Sequence, residues 1–333
     1  MKKATIVVNR AYQNNKLFDL SDSIINRDNC MYPFFLLKEK LKENDYDLST
    51  QDINNIKESD IVIYNEMPQK LPDDEDITKS YLLLFESELI RPDNWDIDKH
   101  KYFHKIFTWK DDIVDNKKYF KFNFAQNIPK TIDKGLSSKE KFCTLIAGNK
   151  KVNHPLELYS KRVEAIRWFE KNHPEDFEFY GIGWDRYTHP NKYIRYVLDK
   201  SKISTLFKPN FKNYRGKVDS KKEVLQNYKF AICYENARDI PGYITEKIFD
   251  CFFAGCIPIY WGANNITDHI PKECFIDKRE FETYEELYDF MKNIDDKKQL
   301  VYLDNIENFL NSDKSYQFSS EFFSDTLIKY CSE

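Results

Sequence analysis

The alternation of strand-like runs with helical patterns constrains the fold of this 333-residue chain most strongly. Two series of short runs rich in β-branched and aromatic residues occur, at 3–9, 60–66, 81–87 and 105–109, and then at 142–148, 177–183, 229–234 and 256–261. Helical patterns lie between these runs, which is typical of βαβ units around a parallel sheet. A polar stretch with Pro and Gly, residues 129–138, separates the series. We therefore predict an α/β fold with two domains, residues 1–135 and 136–333.

Charge and cysteine content exclude several classes of protein. The net charge is −4, whereas a nucleic-acid-binding protein normally carries a basic excess, so no nucleic-acid partner is expected. The seven cysteines show no CxxC spacing, which indicates free thiols in a reducing compartment. No apolar run reaches the ~18 to 20 residues of a membrane span, and no signal peptide is evident. We expect a cytoplasmic protein with at most peripheral contact with the inner face of the membrane.

Polar residues gather in YENARDIPGYITEKIFDCFFAGCIPIYWG, residues 234–262, where a strand meets a helix. Glu235 and Asn236 follow the strand, and Glu246 and Lys247 begin the predicted helix after a suitable N-cap. A helix N-terminus at the carboxyl edge of a parallel sheet favours an anion, and Lys247 adds positive charge. Because the Glu246 carboxylate can accept hydrogen bonds from two vicinal hydroxyls of a sugar ring, the pattern indicates a nucleotide sugar. The alternative is an ordinary capped helix with Lys247 in solvent.

Two segments of this chain resemble the signature of the α-1,3-fucosyltransferases of glycosyltransferase family 10, in their bacterial form. They are YKFAICYEN, residues 228–236, and GYITEKIFDCFFAGCIPIYWGANN, residues 242–265. The likeness extends over roughly residues 144–276 and is loose in the N-terminal half. It implies the GT-B fold, in which two Rossmann-like α/β domains have parallel sheets facing a central cleft. It also implies that the C-terminal domain holds the nucleotide sugar.

By this resemblance, the GDP-fucose site comprises Arg162, Asn236, Tyr243, Glu246 and Lys247. Glu246 is expected on sugar hydroxyls, and Arg162 and Lys247 on the diphosphate. From its helix alone, Arg162 is better explained as a solvated surface arginine. The chain departs from the family pattern in the turn before Tyr243, where Arg-Asp-Ile replaces a more usual Ser-containing sequence. The details of sugar recognition are therefore open.

Two glutamates, Glu86 and Glu88, follow an apolar run in the N-terminal domain. In the family, a glutamate before Ser or Asn at this point is the candidate catalytic base, which favours Glu86 because Ser87 follows it. Glu88 lies on the same side of an extended chain and is the alternative. Without the resemblance, either carboxylate is a solvated residue at the end of a strand.

Metal-binding patterns are weak in this sequence. Residues 74–76 and 96–98 each satisfy a DxD string, but they lie in polar, charged loops, and the six histidines show no ligand spacing. We expect solvated acidic loops there and no metal site. No cofactor beyond the GDP-fucose donor is expected, because Arg162 and Lys247 can balance the diphosphate charge.

The stretch from Trp184 to Lys222 is long, aromatic and basic, and three interpretations of it are open. Alone it resembles a groove for single-stranded nucleic acid. In an acidic chain, a solvated surface insertion with aromatic anchors is the better interpretation. A flap over the cleft is the third.

The sequence thus predicts an inverting glycosyltransferase that moves L-fucose from GDP-β-L-fucose to a glycan hydroxyl, in an α-1,3 linkage. The acceptor expected is an oligosaccharide, for which lactosamine-type glycans are the first candidates, and the setting is glycan biosynthesis, including protein glycosylation. One alternative keeps the fold and uses another GDP-linked deoxy sugar. The other is a GT-B-like glycan-binding or nucleotide-binding protein without turnover.

Overall fold

The computed structural model describes residues 1–201, 203–207 and 209–331, and the chain divides into two compact units. The first unit comprises Met1–Ile128, Pro241–Glu246 and Ser312–Glu333, and the second comprises Pro129–Ile240 and Lys247–Asn311. These units differ from the two predicted domains in three places: residues 129–135, the short segment before residue 247, and the C-terminal residues.

Parallel strands and helices follow one another along the described residues. The strands are β1 (Lys2–Val7), β2 (Tyr46–Thr50), β3 (Ile61–Asn65), β4 (Ser80–Leu84), β5 (Lys105–Thr108), β6 (Tyr119–Lys121), β7 (Lys141–Ile146), β8 (Phe177–Tyr180), β9 (Tyr228–Tyr234), β10 (Ile257–Trp261) and β11 (Ile276–Asp277). The helices are α1 (Tyr32–Glu43), α2 (Tyr159–Asn172), α3 (Lys192–Lys200), α4 (Ile203–Leu206), α5 (Lys221–Leu225), α6 (Glu246–Phe253), α7 (Ile266–His269), α8 (Tyr284–Lys292), α9 (Asp296–Leu310), α10 (Asp313–Tyr316) and α11 (Ser320–Cys331).

The first unit is built on a six-stranded sheet with the strand order β2-β1-β3-β4-β5-β6. Its strands pair in parallel throughout; Ala4, for example, lies between Leu48 and Ile61. β3 and β4 have few polar side chains, because a parallel sheet is covered on both faces. The carboxyl ends of all six strands therefore meet at one edge of this sheet.

Helix α11 belongs to the first unit because its apolar face packs there. The ring of Phe323 lies 5.5 Å from that of Phe34 on α1 and 6.0 Å from that of Phe122, which follows β6. Lys40 on α1 pairs with Asp325 on α11 at 2.5 Å. Burial of these rings removes apolar surface from water, the main favourable term in folding. Chain order therefore does not decide which unit holds the C-terminal residues.

The second unit contains a five-stranded parallel sheet with the order β11-β10-β9-β7-β8. Helix α2 packs against the β8 side, where the rings of Phe169 and Phe177 stack 4.6 Å apart. Phe252 of α6 contacts Phe309 of α9 at 6.1 Å. The prediction of two α/β domains with parallel sheets is confirmed.

The basic stretch after β8 forms α3 and α4, and Lys202 and Lys208, which contribute to its predicted charge, lie outside the described residues. Trp184 is buried and meets Phe211 edge to face at 5.3 Å, while the Arg167 guanidinium lies 3.9 Å from the Phe211 ring centroid. These rings anchor the two ends of the stretch. Tyr193, Tyr196 and other apolar residues of α3 are exposed.

Candidate functional site

The carboxyl edge of the second sheet collects the polar residues that follow β9 and β10. The Glu235 amide donates to the carbonyl of Trp261 at 2.8 Å, and the Asp239 amide donates to that of Gly262 at 3.0 Å. The segments after the two strands are thereby joined. Ligands of open α/β sheets bind at this edge, so it remains the candidate site that the sequence predicts.

Arg162, on α2, supports the end of β9. It is only 4% exposed, so the interpretation of this residue as a solvated surface arginine is wrong. Its Nη2 donates to the carbonyls of Tyr234 (2.6 Å) and Glu235 (2.8 Å) and to the Asn236 Oδ1 (3.1 Å). A cation that satisfies three acceptors from inside the unit also brings positive charge to the edge where a diphosphate is expected.

Lys247, in the first turn of α6, is paired with a carboxylate that the sequence analysis did not assign to the site. Its Nζ lies 3.2 Å from the Glu235 Oε2; the Glu235 side chain is fully buried and that of Lys247 is 22% exposed. A Cβ on Gly262 would lie 2.5 Å from the Glu235 Cγ, so a larger residue would displace this carboxylate. Glu235 therefore holds the lysine ammonium near the strand ends, where the Arg162 contacts also converge.

Glu246 and Tyr243 belong to the segment that is grouped with the first unit. Glu246 opens α6 and is partly buried. Tyr243 is buried, with its ring 4.7 Å from Trp109 and 6.2 Å from Phe124. Gly242 has φ +78°, and a Cβ there would lie 2.3 Å from the Trp109 carbonyl oxygen, so this turn requires glycine. The donor role of Tyr243 stays a prediction.

Glu86 lies two residues beyond β4, at the carboxyl edge of the first sheet. Its side chain is partly buried, whereas that of Glu88 is exposed. The Glu86 carbonyl accepts from Trp95 Nε1 at 3.0 Å and from Asn94 Nδ2 at 3.2 Å. The backbone at the predicted base is therefore held by two side chains.

Trp109 connects the Glu86 segment with Tyr243 inside the first unit. Its indole Nε1 donates to the Phe85 carbonyl at 2.7 Å, and its ring contacts both Trp95 (5.5 Å) and Tyr243. The structure thus brings together Glu86 and Tyr243 in one unit, and Arg162, Asn236 and Lys247 in the other. The assignment of these residues to base and donor site remains a prediction.

Glu66, directly after β3, is a candidate that the sequence analysis missed. Its Oε1 accepts from the amides of Phe85 (3.1 Å) and Glu86 (2.9 Å), and its Oε2 accepts from Asn94 Nδ2. Burial, reinforced by the nearby charge of Glu86, raises the pKa of Glu66 to about 7. The available signal was a second glutamate at the end of the neighbouring parallel strand.

The acidic string at residues 74–76 is engaged by a lysine. Asp73, Glu75 and Asp76 place carboxylate oxygens 2.9, 2.5 and 2.9 Å from the Nζ of Lys57. Asp76 is buried, so the expectation of a solvated loop is wrong for that residue. The carboxylates of Asp73, Glu75 and Asp76 lie close enough together to suit a metal ion, and over the described ranges no other group of His, Cys, Asp and Glu does.

Within the same ranges, no helix has both the length and the apolar composition needed to cross a bilayer.

Residues 183–332 match the family model Glycosyltransferase family 10 (fucosyltransferase) C-term. The chain is 36% identical over 113 residues to an alpha-(1,3)-fucosyltransferase of Helicobacter pylori, which covers 33% of this chain and 23% of that protein. It is also 36% identical over 72 residues to an alpha-(1,4)-fucosyltransferase of Arabidopsis thaliana, with 22% and 18% coverage. The chain thus spans less than a quarter of the length of these relatives.

Solved structures show the same fold at lower identity. An alpha1,3-fucosyltransferase with GDP-fucose aligns with 100% of this chain and 90% of its own, with a TM-score of 0.53 and 16% identity. A structure of an alpha1,3-fucosyltransferase with GDP gives a TM-score of 0.57 at 16% identity, over 100% and 91%. An alpha-glucosyltransferase in complex with UDP and DNA gives 0.58 at 10% identity, over 100% of both chains. These likenesses confirm the predicted GT-B fold class.

Proposed function

We propose that this chain is an α-1,3-fucosyltransferase of glycosyltransferase family 10, and the match of residues 183–332 to the family's C-terminal model supports this. It would move L-fucose from GDP-β-L-fucose to a hydroxyl of a glycan acceptor, with inversion at the anomeric carbon. The observation that carries this proposal is the cationic edge of the second sheet, where Arg162 and the Lys247–Glu235 pair meet the strand ends.

In this proposal the donor diphosphate lies against Arg162, Asn236 and Lys247. As the bond between fucose C1 and the diphosphate oxygen breaks, negative charge grows on GDP, and fixed cations stabilise that charge. The buried Glu235 holds Lys247 in place before the donor arrives, so less reorganisation is needed. Glu246 would accept hydrogen bonds from fucose hydroxyls, and Tyr243 would complete the donor site.

The acceptor hydroxyl attacks C1 from the face opposite the leaving group, which produces the α linkage from a β-linked donor. Glu86 takes the hydroxyl proton as the new C–O bond forms, in the role of general base. Its ordered backbone, bound by Asn94 and Trp95, supports this assignment over the exposed Glu88. No metal ion is needed in this scheme, since protein cations balance the diphosphate.

A second candidate, a different GDP-linked deoxy sugar, is favoured by one local feature. Asp239 has φ +61°, and the Arg238 Nη1 pairs with the Asp239 Oδ2 at 2.6 Å. These two features set the conformation of the turn before Gly242. Altered turn geometry beside the donor would change which sugar hydroxyls are recognised. A panel of GDP-linked sugars separates the two candidates.

We also propose a cytoplasmic location with at most peripheral contact with a membrane. The seven cysteines are all free thiols, and six of them are buried, which suits a reducing compartment. Fractionation of cells that express the chain, with detection in the soluble and membrane fractions, tests this proposal.

The decisive experiment incubates the purified chain with GDP-fucose and a set of acceptors that begins with lactosamine-type glycans. We expect GDP release together with a product heavier by one fucose, in the presence or absence of EDTA. Loss of activity in EDTA that Mn²⁺ or Mg²⁺ restores would contradict the metal-free scheme. GDP binding without turnover on any acceptor would favour a binding protein.

A further inference from the structure

We propose that Glu66 is a positioning residue, whose carboxylate holds the Glu86 backbone at the carboxyl edge of the first sheet. The inference rests on the proposed role of Glu86 as the base. It concerns the first unit alone, and every contact on which it depends joins residues of that unit.

The first step is the convergence of donors on the Glu66 carboxylate. Its Oε1 accepts from two consecutive backbone amides, those of Phe85 and Glu86, at 3.1 and 2.9 Å. Its Oε2 accepts from Asn94 Nδ2. These amides follow β4, where no further strand residue would satisfy them, so the glutamate replaces the missing ladder partner. The path of the chain into Glu86 thus depends on this side chain.

The second step is that both Glu66 oxygens must act as acceptors. Asn94 is fully buried, and its Oδ1 accepts from the Met67 amide at 2.9 Å, so its Nδ2 is the group that faces Glu66. A glutamine at position 66 would point its NH₂ group either at Asn94 Nδ2 or at the two backbone amides. In either orientation, the NH₂ group of the glutamine would face another hydrogen-bond donor. The site is therefore built for a carboxylate, not for any polar side chain of this length.

The third step is that Asn94 links the two glutamates. The same Nδ2 that donates to Glu66 also lies 3.2 Å from the Glu86 carbonyl oxygen. Asn94 is itself held by His100, whose Nε2 lies 2.7 Å from the Asn94 carbonyl oxygen. Displacement of Glu66 would therefore reach Glu86 by two routes, through the backbone amide and through Asn94.

The backbone at Glu66 also indicates a specific role. Its φ is +76°, in the left-handed region that residues other than glycine rarely adopt. Asparagine and glycine adopt this conformation at lower cost, but neither can reach the amides of Phe85 and Glu86 with a carboxylate. Strained backbone of this kind clusters at functional sites.

The charges around Glu66 determine what its ionisation does. Glu86 raises the pKa of Glu66, and Arg91 lowers it; Arg91 is in turn bound to Asp93 at 2.6 Å. His100 faces the pair only through Asn94, and its pKa is lowered by burial. Glu66 is therefore the carboxyl of the pair that keeps its proton to higher pH, and its ionised form, which accepts from all three donors, predominates above pH about 7.

The test compares Glu66→Gln and Glu66→Asp with wild type, using Glu58→Gln as the matched control. Glu58 precedes the other end of β3 and forms an exposed ion pair with Lys3. We expect Glu66→Gln to lower kcat by ~10- to 100-fold, within the range of general base catalysis, and to leave the KM for GDP-fucose within about twofold. The control should match wild type.

A second readout distinguishes this role from a purely structural one. Glu66 loses its proton near pH 7, and only its ionised form offers acceptors to all three donors, so wild-type kcat should rise through that pH and Glu66→Gln should lack this rise. Glu66→Asp keeps an ionisable carboxyl, so its kcat should still rise with pH even where kcat falls. If Glu66→Gln folds poorly, the Glu66→Asp variant still tests the inference, because wild-type kcat in that variant would contradict the need for reach to both amides.

Two measurements do not depend on turnover. Hydrogen exchange of the peptide over residues 81–91 should be faster in Glu66→Gln, because the Phe85 and Glu86 amides lose a charged acceptor. Carboxyl NMR titration, with Glu66→Gln to assign the resonance, should show a Glu66 pKa well above 4.5, because burial disfavours the charged form. Unchanged exchange of the Phe85 and Glu86 amides in Glu66→Gln overturns the inference, as does an unchanged kcat in an active enzyme. Absence of transfer by wild type contradicts the proposed function, and the two turnover-independent measurements then decide the inference alone.

Discussion

Replacement of Lys247 by methionine should have two separable effects, because this lysine is both the predicted diphosphate contact and the partner of a buried carboxylate. Glu235 has no exposed surface and lies 3.2 Å from the Lys247 Nζ, while the lysine side chain keeps 22% of its surface exposed. Loss of one partner of a fully buried ion pair costs ~3–5 kcal/mol, and loss of an exposed pair costs ~1 kcal/mol or less. Because Glu235 is buried and Lys247 is partly exposed, we expect Lys247→Met to lower the free energy of unfolding by about 2 kcal/mol.

The same change should weaken GDP binding by ~1.5–3 kcal/mol, the contribution of a hydrogen bond to a charged group, or roughly 10- to 150-fold in Kd. Urea denaturation measures the first effect and isothermal titration calorimetry the second. Adding Glu235→Gln to Lys247→Met should restore at least ~1 kcal/mol of stability, because the buried charge is removed. It should not restore GDP affinity.

Lys229→Met is the matched control for this cycle. Lys229 lies near the start of β9, and its pairing with Asp296 at 3.9 Å involves an exposed carboxylate, so a change below ~1 kcal/mol is expected. If the double variant is no more stable than Lys247→Met, the buried pair does not carry the stability assigned to it. Unchanged GDP affinity in Lys247→Met would remove this lysine from the donor site.

Three further predictions concern the other site residues. Glu86→Gln should leave GDP-fucose binding nearly intact and lower kcat by ~10² to 10⁴, whereas Glu88→Gln should leave kcat near that of wild type. The reverse result in steady-state kinetics would move the base to Glu88. Arg162→Ala leaves three acceptors at the end of β9 without this donor, so we expect a loss of ~2 kcal/mol or more in urea denaturation, and an unchanged midpoint would contradict the support described above. The Glu66 pKa is raised from 4.5 to about 7 in the folded state, which therefore binds the proton more tightly than the unfolded state. The free energy of unfolding of wild type should accordingly fall relative to that of Glu66→Gln as pH rises from 4.5 to about 7; parallel stability curves would refute this.

The order of strands and helices was predictable from the sequence where apolar runs are long and bounded. β3, β4, β9 and β10 are nearly continuous apolar segments, because both faces of a parallel sheet are covered, and such runs are detectable without an alignment. β2 and β6 were not predicted, since YDLST is largely polar and YFK has only three residues. The position of α11 beside α1 also needed the structure, because packing between distant segments leaves no local pattern.

The candidate site was likewise predictable from the sequence only in part. Residue types and their order placed Glu235, Asn236 and Lys247 where a strand meets a helix, and that much follows from local chemistry. The partner of each charge depends on which strands are neighbours. Glu235 receives Lys247 because α6 returns to the end of β9, and Glu66 reaches Glu86 because β3 lies beside β4. Sequence determines which charges a chain carries and which runs it can bury, whereas tertiary structure decides which charges meet, since only folding brings distant strand ends to one edge.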